Sequence, residues 1–234
     1  MAGRRLMRLR AVLFDVDFTL ARPGPELGPE GYRRLGERFG MQLDPDRYDA
    51  ARSAAREGLQ HHPELLHDEE IWVAFTEAII RGMGGEPPAA HEAAVEMTAA
   101  WLRHGNFDLY EDALPVLEEL RRHGLRIGLV SNTGRDLDEF LAHHAIPCDA
   151  ALASGAHGRV KPHRSIFEAV LARLGATPAE SAMVGDSPQD DIEGALALGM
   201  QAFLLDRDGR HPEWEGRLPD LYALPRALGL PPAA

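Results

Sequence analysis

Val12-Leu13-Phe14-Asp15-Val16-Asp17-Phe18-Thr19-Leu20 is the stretch of sequence that decides the fold. Its first residues form a short apolar run, which is typical of a buried strand in a parallel sheet. Because strand side chains alternate between two faces, Asp15 and Asp17 would emerge on the same side at the end of this run. Two neighbouring carboxylates repel each other unless a cation, a donor or a proton compensates them. The pair therefore predicts a functional site at a strand end.

Length, composition and charge are those of an ordinary globular protein. The chain has 234 residues, of which 44% are hydrophobic and 26% are charged, and it is long enough to bury a sizeable core. The formal net charge of -12 argues against a nucleic acid as the main partner, because a phosphate backbone is bound by clustered lysines and arginines. Small phosphorylated substrates remain compatible, since a metal ion or one lysine can dominate a local site.

The cysteine count and the apolar runs indicate a cytoplasmic protein. The single cysteine, Cys148, excludes an internal disulfide and suits a reducing compartment. No apolar run approaches the ~20 residues of a membrane span, so no membrane partner is expected. Four arginines between Arg4 and Arg10 resemble the start of a signal peptide, but the apolar run that follows is short and is interrupted by Asp15.

Five short apolar runs have the length and composition of strands. After the second run, helical patterns of about ten or more residues separate each run from the next, which is the βαβ arrangement of a parallel sheet. Three helices next to these runs are expected to end at Gly124, Gly175 and Gly199, since glycine is favoured just after a helix. The five predicted strands are Ala11–Phe14, Arg126–Val130, Ala150–Ala153, Ala182–Val184 and Ala202–Leu205.

The interval between Leu20 and Leu114 interrupts this alternation. It shows no convincing strand pattern and reads as about four amphipathic helices, enough for a small bundle. Asp44 and Asp68 are expected to cap two of them. The predicted fold class is therefore α/β, a Rossmann-like parallel sheet core with an all-helical cap domain inserted after strand one. The predicted core covers residues 1–20 and 107–234, and the predicted helical cap covers residues 21–106.

Polar side chains follow four of the predicted strands. Ligands of open α/β sheets bind outside the carboxyl ends of the strands, so these side chains are expected to meet at one rim. A protein without a functional site has little reason to collect carboxylates, hydroxyls, an amide and an ammonium group there. They are Asp15, Asp17 and Thr19 after the first strand, Ser131, Asn132 and Thr133 after the second, Lys161 after the third, and Asp186, Asp190 and Asp191 after the fourth.

The chemistry that these groups suit is phosphoryl transfer. Asp15, Asp186 and the backbone carbonyl of Asp17 are the expected ligands of Mg²⁺, which prefers a few hard oxygen ligands. Asp15 is the candidate nucleophile, and Asp17 beside it is the candidate general acid/base. Lys161 is expected to stabilise charge on the transferring group. The candidate ligands of the substrate phosphate are Thr19, Ser131 and Asn132.

Four motifs resemble the haloacid dehalogenase-like superfamily, in its phosphatase branch with a helical cap. They are DVDFTL at Asp15–Leu20, the Ser131-Asn132 pair, Lys161-Pro162 and GDSPQDD at Gly185–Asp191, in the order that the superfamily shows. The resemblance implies a Mg²⁺-dependent hydrolase acting on a small phosphorylated metabolite through an aspartyl-phosphate on Asp15. It further implies that Asp191 holds Lys161 or a metal-bound water, with Asp190 as the alternative.

Other reactions of the superfamily require residues that can be compared with this sequence. Halide-removing members of the superfamily lack the second aspartate of the first motif, so Asp17 argues against dehalogenation. Phosphonate-cleaving members use a cap lysine, and no lysine occurs between Leu20 and Leu114. A phosphosugar mutase using the same residues and a non-catalytic binding protein on an inherited scaffold stay open as alternatives. The physiological substrate and the oligomeric state are not indicated by the sequence.

Overall fold

The computed structural model describes residues 9–231, so Arg4, Arg5 and Arg8 of the basic N-terminal stretch lie outside it. Seven strands form in this part of the chain, and five of them make one parallel sheet in the order β5-β4-β1-β6-β7. The five predicted strands are confirmed to within one residue at each end. The strands are β1 Ala11–Phe14, β2 Ala21–Pro23, β3 Phe107–Leu109, β4 Arg126–Ser131, β5 Ala150–Ala153, β6 Ser181–Gly185 and β7 Gln201–Leu204.

Both faces of the sheet are buried, as the apolar β1 predicts. Val12 and Phe14 point into one hydrophobic cluster, and Ala11 and Leu13 point into the other. This alternation places β1 in the middle of the core, hydrogen-bonded to β4 on one side and to β6 on the other. The first turn after β1 is therefore held by neighbours on both edges.

Helices cover the two faces of the sheet and form the interval after β1. The predicted helix ends at Gly124, Gly175 and Gly199 are confirmed, each glycine having a positive φ. The α-helices are α1 Pro29–Arg38, α2 Tyr48–Glu57, α3 Glu69–Gly82, α4 Ala89–Trp101, α5 Ala113–Arg122, α6 Leu137–His144, α7 Ser154–His157, α8 Arg164–Leu174, α9 Gly194–Ala197 and α10 Leu224–Ala227, and a π-helix at Pro188–Glu193 leads into α9.

The four helices expected between strand one and Leu114 are α1 to α4. Asp68 caps α3 by accepting a hydrogen bond from the Glu70 amide, and Asp44 caps the short 3-10 turn that leads into α2 in the same way. Their apolar faces bury residues such as Tyr32, Ile79 and Met97. No helix in residues 9–231 is long and apolar enough to cross a bilayer.

The prediction of no strand between Leu20 and Leu114 is wrong. The chain leaves the core through β2 and re-enters it through β3, and these two segments pair antiparallel, with Ala21 opposite Leu109. Each strand has only three residues, and Pro23 ends the first, so neither shows the alternation by which a strand is recognised. The pairing follows from tertiary structure, because both ends of one helical insertion meet at the same place. The domain bounds at residues 21 and 106 stay a prediction.

Candidate active site

A buried lysine joins the ends of β1 and β6. The Lys161 Nζ donates to Asp15 Oδ1 at 2.5 Å and to Asp191 Oδ1 at 2.7 Å. The Lys161 side chain is only 2% exposed, so its ammonium group depends on these two carboxylates for compensation. The structure thus brings the candidate nucleophile, the candidate charge-stabilising lysine and one of the two alternative acidic residues into direct contact.

Burial sets the protonation behaviour of this cluster. It raises the pKa of Asp15 well above its ordinary value, against the opposing effect of Lys161. It also raises the pKa of Asp191 to about 6. Burial by itself lowers the pKa of Lys161, but the two carboxylates outweigh it and leave the lysine pKa above its ordinary value. The two carboxylates therefore favour the charged form of Lys161, and Lys161 is the main group that favours ionised Asp15.

The residues of this rim fit a divalent cation. One carboxylate oxygen each from Asp15, Asp186 and Asp191 lie within 4.8 Å of one another, and all three residues are buried. Lys161 contacts Asp15 and Asp191 but not Asp186, and clustered hard carboxylate oxygens of this kind are the ligands that suit Mg²⁺. The Asp17 side chain is not part of this group. Its backbone carbonyl as a metal ligand stays a prediction.

Asp17 is held by an arginine that the sequence did not point to. Arg135 Nη1 and Nη2 donate to the two Asp17 carboxylate oxygens, both at 3.0 Å. The guanidinium lies 3.7 Å from the centroid of the Phe107 ring and donates through Nε to the Trp101 carbonyl at 3.3 Å. Arg135 lies 118 positions from Asp17, and the only sequence signal is its place in the turn that begins at Ser131.

The three candidate phosphate ligands occupy different environments. Ser131 is buried and lines the cavity. Asn132 also lines it, but its Oδ1 accepts from the Lys161 backbone amide at 2.6 Å and its Nδ2 donates to the Lys161 carbonyl at 3.1 Å. Thr19 is fully buried and does not line the cavity, and its hydroxyl has no hydrogen-bond partner among the described residues. Phosphate binding by these three residues stays a prediction, and the contacts of Asn132 position Lys161.

Asp190 and Asp191 have separate partners. Asp191 contacts Lys161 and accepts from the Ser187 amide at 3.0 Å, so it occupies the position that the sequence left open between the two. Gly185 permits this approach, because a Cβ there would overlap the Asp191 carboxylate. Asp190 instead pairs with His61 at 3.1 Å. This contact joins the segment between α2 and α3 to the sheet rim.

One cavity of about 280 Å³ collects these groups. Its floor is the rim of the sheet, and its other walls come from the helical interval. Arg56 and Arg210 also approach the floor, with guanidinium nitrogens 3.3 and 3.6 Å from Asp186 Oδ2. The helical interval contributes aromatic and charged side chains to the wall, among them Tyr48, Arg52, Arg56, His61, Glu69, Trp72, Phe75 and Trp101.

Comparison with known proteins assigns the family. The sequence profile of the haloacid dehalogenase-like hydrolases matches residues 9–199, which is most of the chain. The protein belongs to this family. The resemblance seen in the four motifs and the expected α/β Rossmann-like fold are thereby confirmed.

Individual relatives bear names of phosphatases. A phosphoserine phosphatase of Thermus thermophilus is 38% identical over 154 residues, which cover 63% of this chain and 60% of that protein. A ribulose-1,5-bisphosphate 5-phosphatase of Halopiger xanaduensis is 30% identical over 206 residues, 84% of each chain. The HAD-hydrolase YfnB of Bacillus subtilis, crystallised with magnesium, has a TM-score of 0.67 at 19% identity and covers 95% of this chain and 100% of its own. YfnB agrees with the fold, and the two phosphatase relatives support the expected enzyme class, a phosphoric monoester hydrolase.

Proposed function

We propose that the protein is a Mg²⁺-dependent phosphatase that hydrolyses a small phosphomonoester through an aspartyl-phosphate on Asp15. The observation that carries this proposal is the contact of Lys161 with Asp15 and Asp191 at the rim of the sheet. In this proposal Asp15 is the nucleophile and Lys161 the fixed cation, and the proposal is supported by their position beside the carboxylate cluster that lines one cavity. The phosphatase relatives and the magnesium-bound YfnB agree with it.

The chain's own residues perform two half-reactions in this proposal. An Asp15 carboxylate oxygen attacks phosphorus, the bond from phosphorus to the leaving oxygen breaks, and Asp17 gives that oxygen a proton. Asp17 then takes a proton from water, which attacks the acyl phosphate and releases inorganic phosphate and free Asp15. Lys161 stabilises the charge on the transferring group. Asp15, Asp186 and the backbone carbonyl of Asp17 would hold Mg²⁺, and the bound ion would neutralise charge on the incoming phosphate.

Asp17 must part from Arg135 to act in both steps, since both of its oxygens accept from the guanidinium. The partners of Arg135 include the carbonyl of Trp101 at the end of α4 and the ring of Phe107 in β3. These are the last helix of the insertion and its return strand. A movement of the helical segment as a cap over the site would therefore disturb the same arginine that holds the acid/base.

The test is phosphate release from p-nitrophenyl phosphate in the presence of Mg²⁺ by the wild type, Asp15→Asn and Asp138→Asn. Asp138 is an exposed carboxylate on α6 and serves as the matched control. We expect Asp15→Asn to lose activity by about 10⁴-fold or more, because the covalent route disappears, and Asp138→Asn to keep it. Equal activity of wild type and Asp15→Asn contradicts the mechanism.

Four further outcomes test the covalent intermediate, the metal site and the two alternative functions. Borohydride added during turnover should reduce the acyl phosphate and convert Asp15 to homoserine, which peptide mass analysis detects. Asp186→Asn should weaken Mg²⁺ binding in calorimetry. Phosphate recovered on an isomeric sugar phosphate, rather than as inorganic phosphate, identifies a mutase instead. No turnover with any phosphomonoester favours a binding protein.

A further inference from the structure

The wall of the cavity holds two arginines from one helix. Arg52 and Arg56 are four residues apart on α2, so their side chains lie on the same side of the helix, and both line the cavity. The neighbouring face of α2, with Ala51 and Ala55, is buried in the hydrophobic cluster. Packing of that face fixes the helix, and with it the two guanidinium groups, above the sheet rim.

Most other cations of the cavity already have anionic partners. Lys161 is held by Asp15 and Asp191, and Arg135 is held by Asp17. Arg56 has only the 3.3 Å contact with Asp186, and its own side chain is 40% exposed. Arg52 forms no ion pair with any residue in 9–231. Arg52 therefore supplies positive charge that no carboxylate among the described residues neutralises, and Arg56 is only partly neutralised by Asp186.

Arg52 is nevertheless fixed in place next to the reacting groups. Its Cζ lies 4.4 Å from the centroid of the Phe18 ring, and Phe18 directly follows Asp17. Phe18 has a φ of 65°, the left-handed region that non-glycine residues seldom adopt. The turn after β1 thus carries the ring on which the guanidinium stacks. Such stacking orients a guanidinium and leaves its N–H donors free for an anion.

The one carboxylate that the helical interval contributes to the wall does not compensate these arginines. Glu69, at the start of α3, lies beside Gly134 and forms no ion pair with Arg52 or Arg56. The other residues that the helical interval contributes to the cavity include Leu59, Trp72 and Phe75, none of which is an anion. A neutral leaving group would leave a half-buried guanidinium in this wall without a partner, which is unfavourable.

We propose that Arg52 and Arg56 bind a second anionic group on the leaving alcohol, so that the substrate is a phosphomonoester that also carries a carboxylate or another phosphate. This inference rests on the proposed phosphatase activity and names its substrate class. The phosphate being transferred is bound at the sheet rim by Lys161 and Ser131, and the second anion is bound beside it by the two arginines of α2. Charge-assisted hydrogen bonds to guanidinium make this the specificity-determining contact.

The test compares substrates that differ in one charged group. 2-Phosphoglycolate is paired with 2-hydroxyethyl phosphate, and fructose 1,6-bisphosphate with fructose 6-phosphate, so that the two pairs distinguish a carboxylate from a second phosphate. The wild type should prefer the anionic member of at least one pair by about tenfold or more in kcat/KM, as expected for one charge-assisted hydrogen bond. Arg52→Gln should remove most of that preference and leave the other member within about threefold. Arg56→Gln should also lower the preference, but its guanidinium contacts Asp186, so only Arg52→Gln is used to judge basal activity.

Control variants distinguish binding of the second anion from a structural role of the arginines. Arg81→Gln, an exposed arginine on α3 that does not line the cavity, should change neither pair. Arg52→Glu should raise the activity on O-phosphoethanolamine, whose leaving group is cationic, relative to 2-phosphoglycolate. Loss of activity on both members of a pair to the same extent assigns Arg52 a structural role and overturns the inference.

The outcomes also separate this inference from the proposed function. Asp15-dependent hydrolysis of p-nitrophenyl phosphate without preference for either anionic substrate overturns the anion site and leaves the phosphatase standing. Absence of turnover with every phosphomonoester, p-nitrophenyl phosphate included, overturns both.

Discussion

Two arginines of this protein are held in nearly the same way, and only one of them lines the cavity. Arg135 binds Asp17 with two hydrogen bonds of 3.0 Å and stacks on Phe107. Arg207 binds Asp112 with two hydrogen bonds, of 2.9 and 2.8 Å, and stacks on the Tyr110 ring 3.8 Å away. Each is also anchored to a backbone carbonyl, of Trp101 for Arg135 and of Thr19 for Arg207.

The difference lies in the surroundings of the two carboxylates. Asp112 is 4% exposed and accepts a third hydrogen bond, from the Leu221 amide, so its oxygens are satisfied within the core. Asp17 is 22% exposed and faces the cavity beside Asp15. The same bidentate pair thus serves as a structural clamp in one place and as a holder of a candidate acid/base in the other. Bond geometry alone does not identify a functional pair, because access to a substrate decides it.

The largest effect is expected from replacing the two carboxylates. Asp17→Asn should lower kcat on alkyl phosphates by about 10²- to 10⁴-fold, since the leaving alkoxide then lacks its proton donor. The loss on p-nitrophenyl phosphate should be smaller, because nitrophenolate leaves without help. Asp112→Asn should keep kcat and lower the free energy of unfolding by about 2–3 kcal/mol, since it weakens a buried pair. Steady-state kinetics and urea denaturation measure these changes.

An equal loss of activity on the two types of phosphate ester in Asp17→Asn would contradict the acid/base role of Asp17. A loss of kcat in folded Asp112→Asn would show that the second pair is not merely structural.

Replacing the arginines should give an intermediate effect. Lysine keeps the charge but loses the two-pronged geometry, so Arg135→Lys and Arg207→Lys should both lower the free energy of unfolding by about 1–2 kcal/mol. Only Arg135→Lys should lower kcat on alkyl phosphates, by about tenfold, with less effect on p-nitrophenyl phosphate, since its influence passes through a proton-transferring residue. The ratio of kcat on an alkyl phosphate to kcat on p-nitrophenyl phosphate measures this difference for each variant.

A change of that ratio in Arg207→Lys, or no change in Arg135→Lys, would break the distinction between the two pairs.

A smaller effect is expected from the aromatic rings under the guanidinium groups. Phe107→Leu and Tyr110→Leu each remove a cation–π contact, and double-mutant cycles with Arg135→Lys and Arg207→Lys should give coupling energies of about 0.5–1 kcal/mol. Thermal or urea unfolding of the single and double variants provides the values. Coupling energies near zero would assign the stacking no energetic role in holding either arginine.

The smallest effect is expected for the pair of His61 and Asp190. Unlike an arginine, a histidine can lose its charge near neutral pH. The hydrogen bond with Asp190 raises the pKa of His61, against the opposing effect of partial burial. A raised histidine pKa stabilises the folded state fully below the unfolded value of about 6.5, and this stabilisation is lost as pH rises through the folded value. Wild type should therefore exceed His61→Gln in unfolding free energy by up to about 1 kcal/mol near pH 5.5, and the excess should shrink toward pH 8.

The neighbouring variant His62→Gln is the control for that comparison, since His62 makes no contact with Asp190. A pH-independent difference between wild type and His61→Gln would assign the pair no electrostatic role.

Local sequence pattern was sufficient for the parallel sheet, for its helices and for bringing several residues of the candidate site to one rim. The apolar runs located all five strands of the parallel sheet, and the glycines located the ends of the intervening helices. Asp15, Lys161 and Asp186 were found because each follows a strand and the carboxyl ends of parallel strands share one rim. The paired strands β2 and β3 were missed, because each depends on a partner more than eighty positions away and has too few residues to carry its own pattern.

Local sequence pattern does not predict contacts between residues that are far apart in the sequence. Nothing near Arg135 indicates Asp17 as its partner, and nothing near Arg52 indicates that it stacks on Phe18. Asp190 and Asp191 are adjacent in sequence and chemically identical, and only the helical turn that begins at Pro188 decides which of them reaches Lys161.

The sequence by itself determined the α/β class, the parallel sheet and the set of carboxylates and lysine at its rim, because periodicity and strand ends are local properties of the chain. Tertiary structure decided which of these groups touch: that Lys161 joins Asp15 to Asp191, that Arg135 holds Asp17 and that α2 lines the cavity with two arginines. The physical reason is that hydrogen bonds and ion pairs act over a few ångströms of space, whatever the distance along the chain.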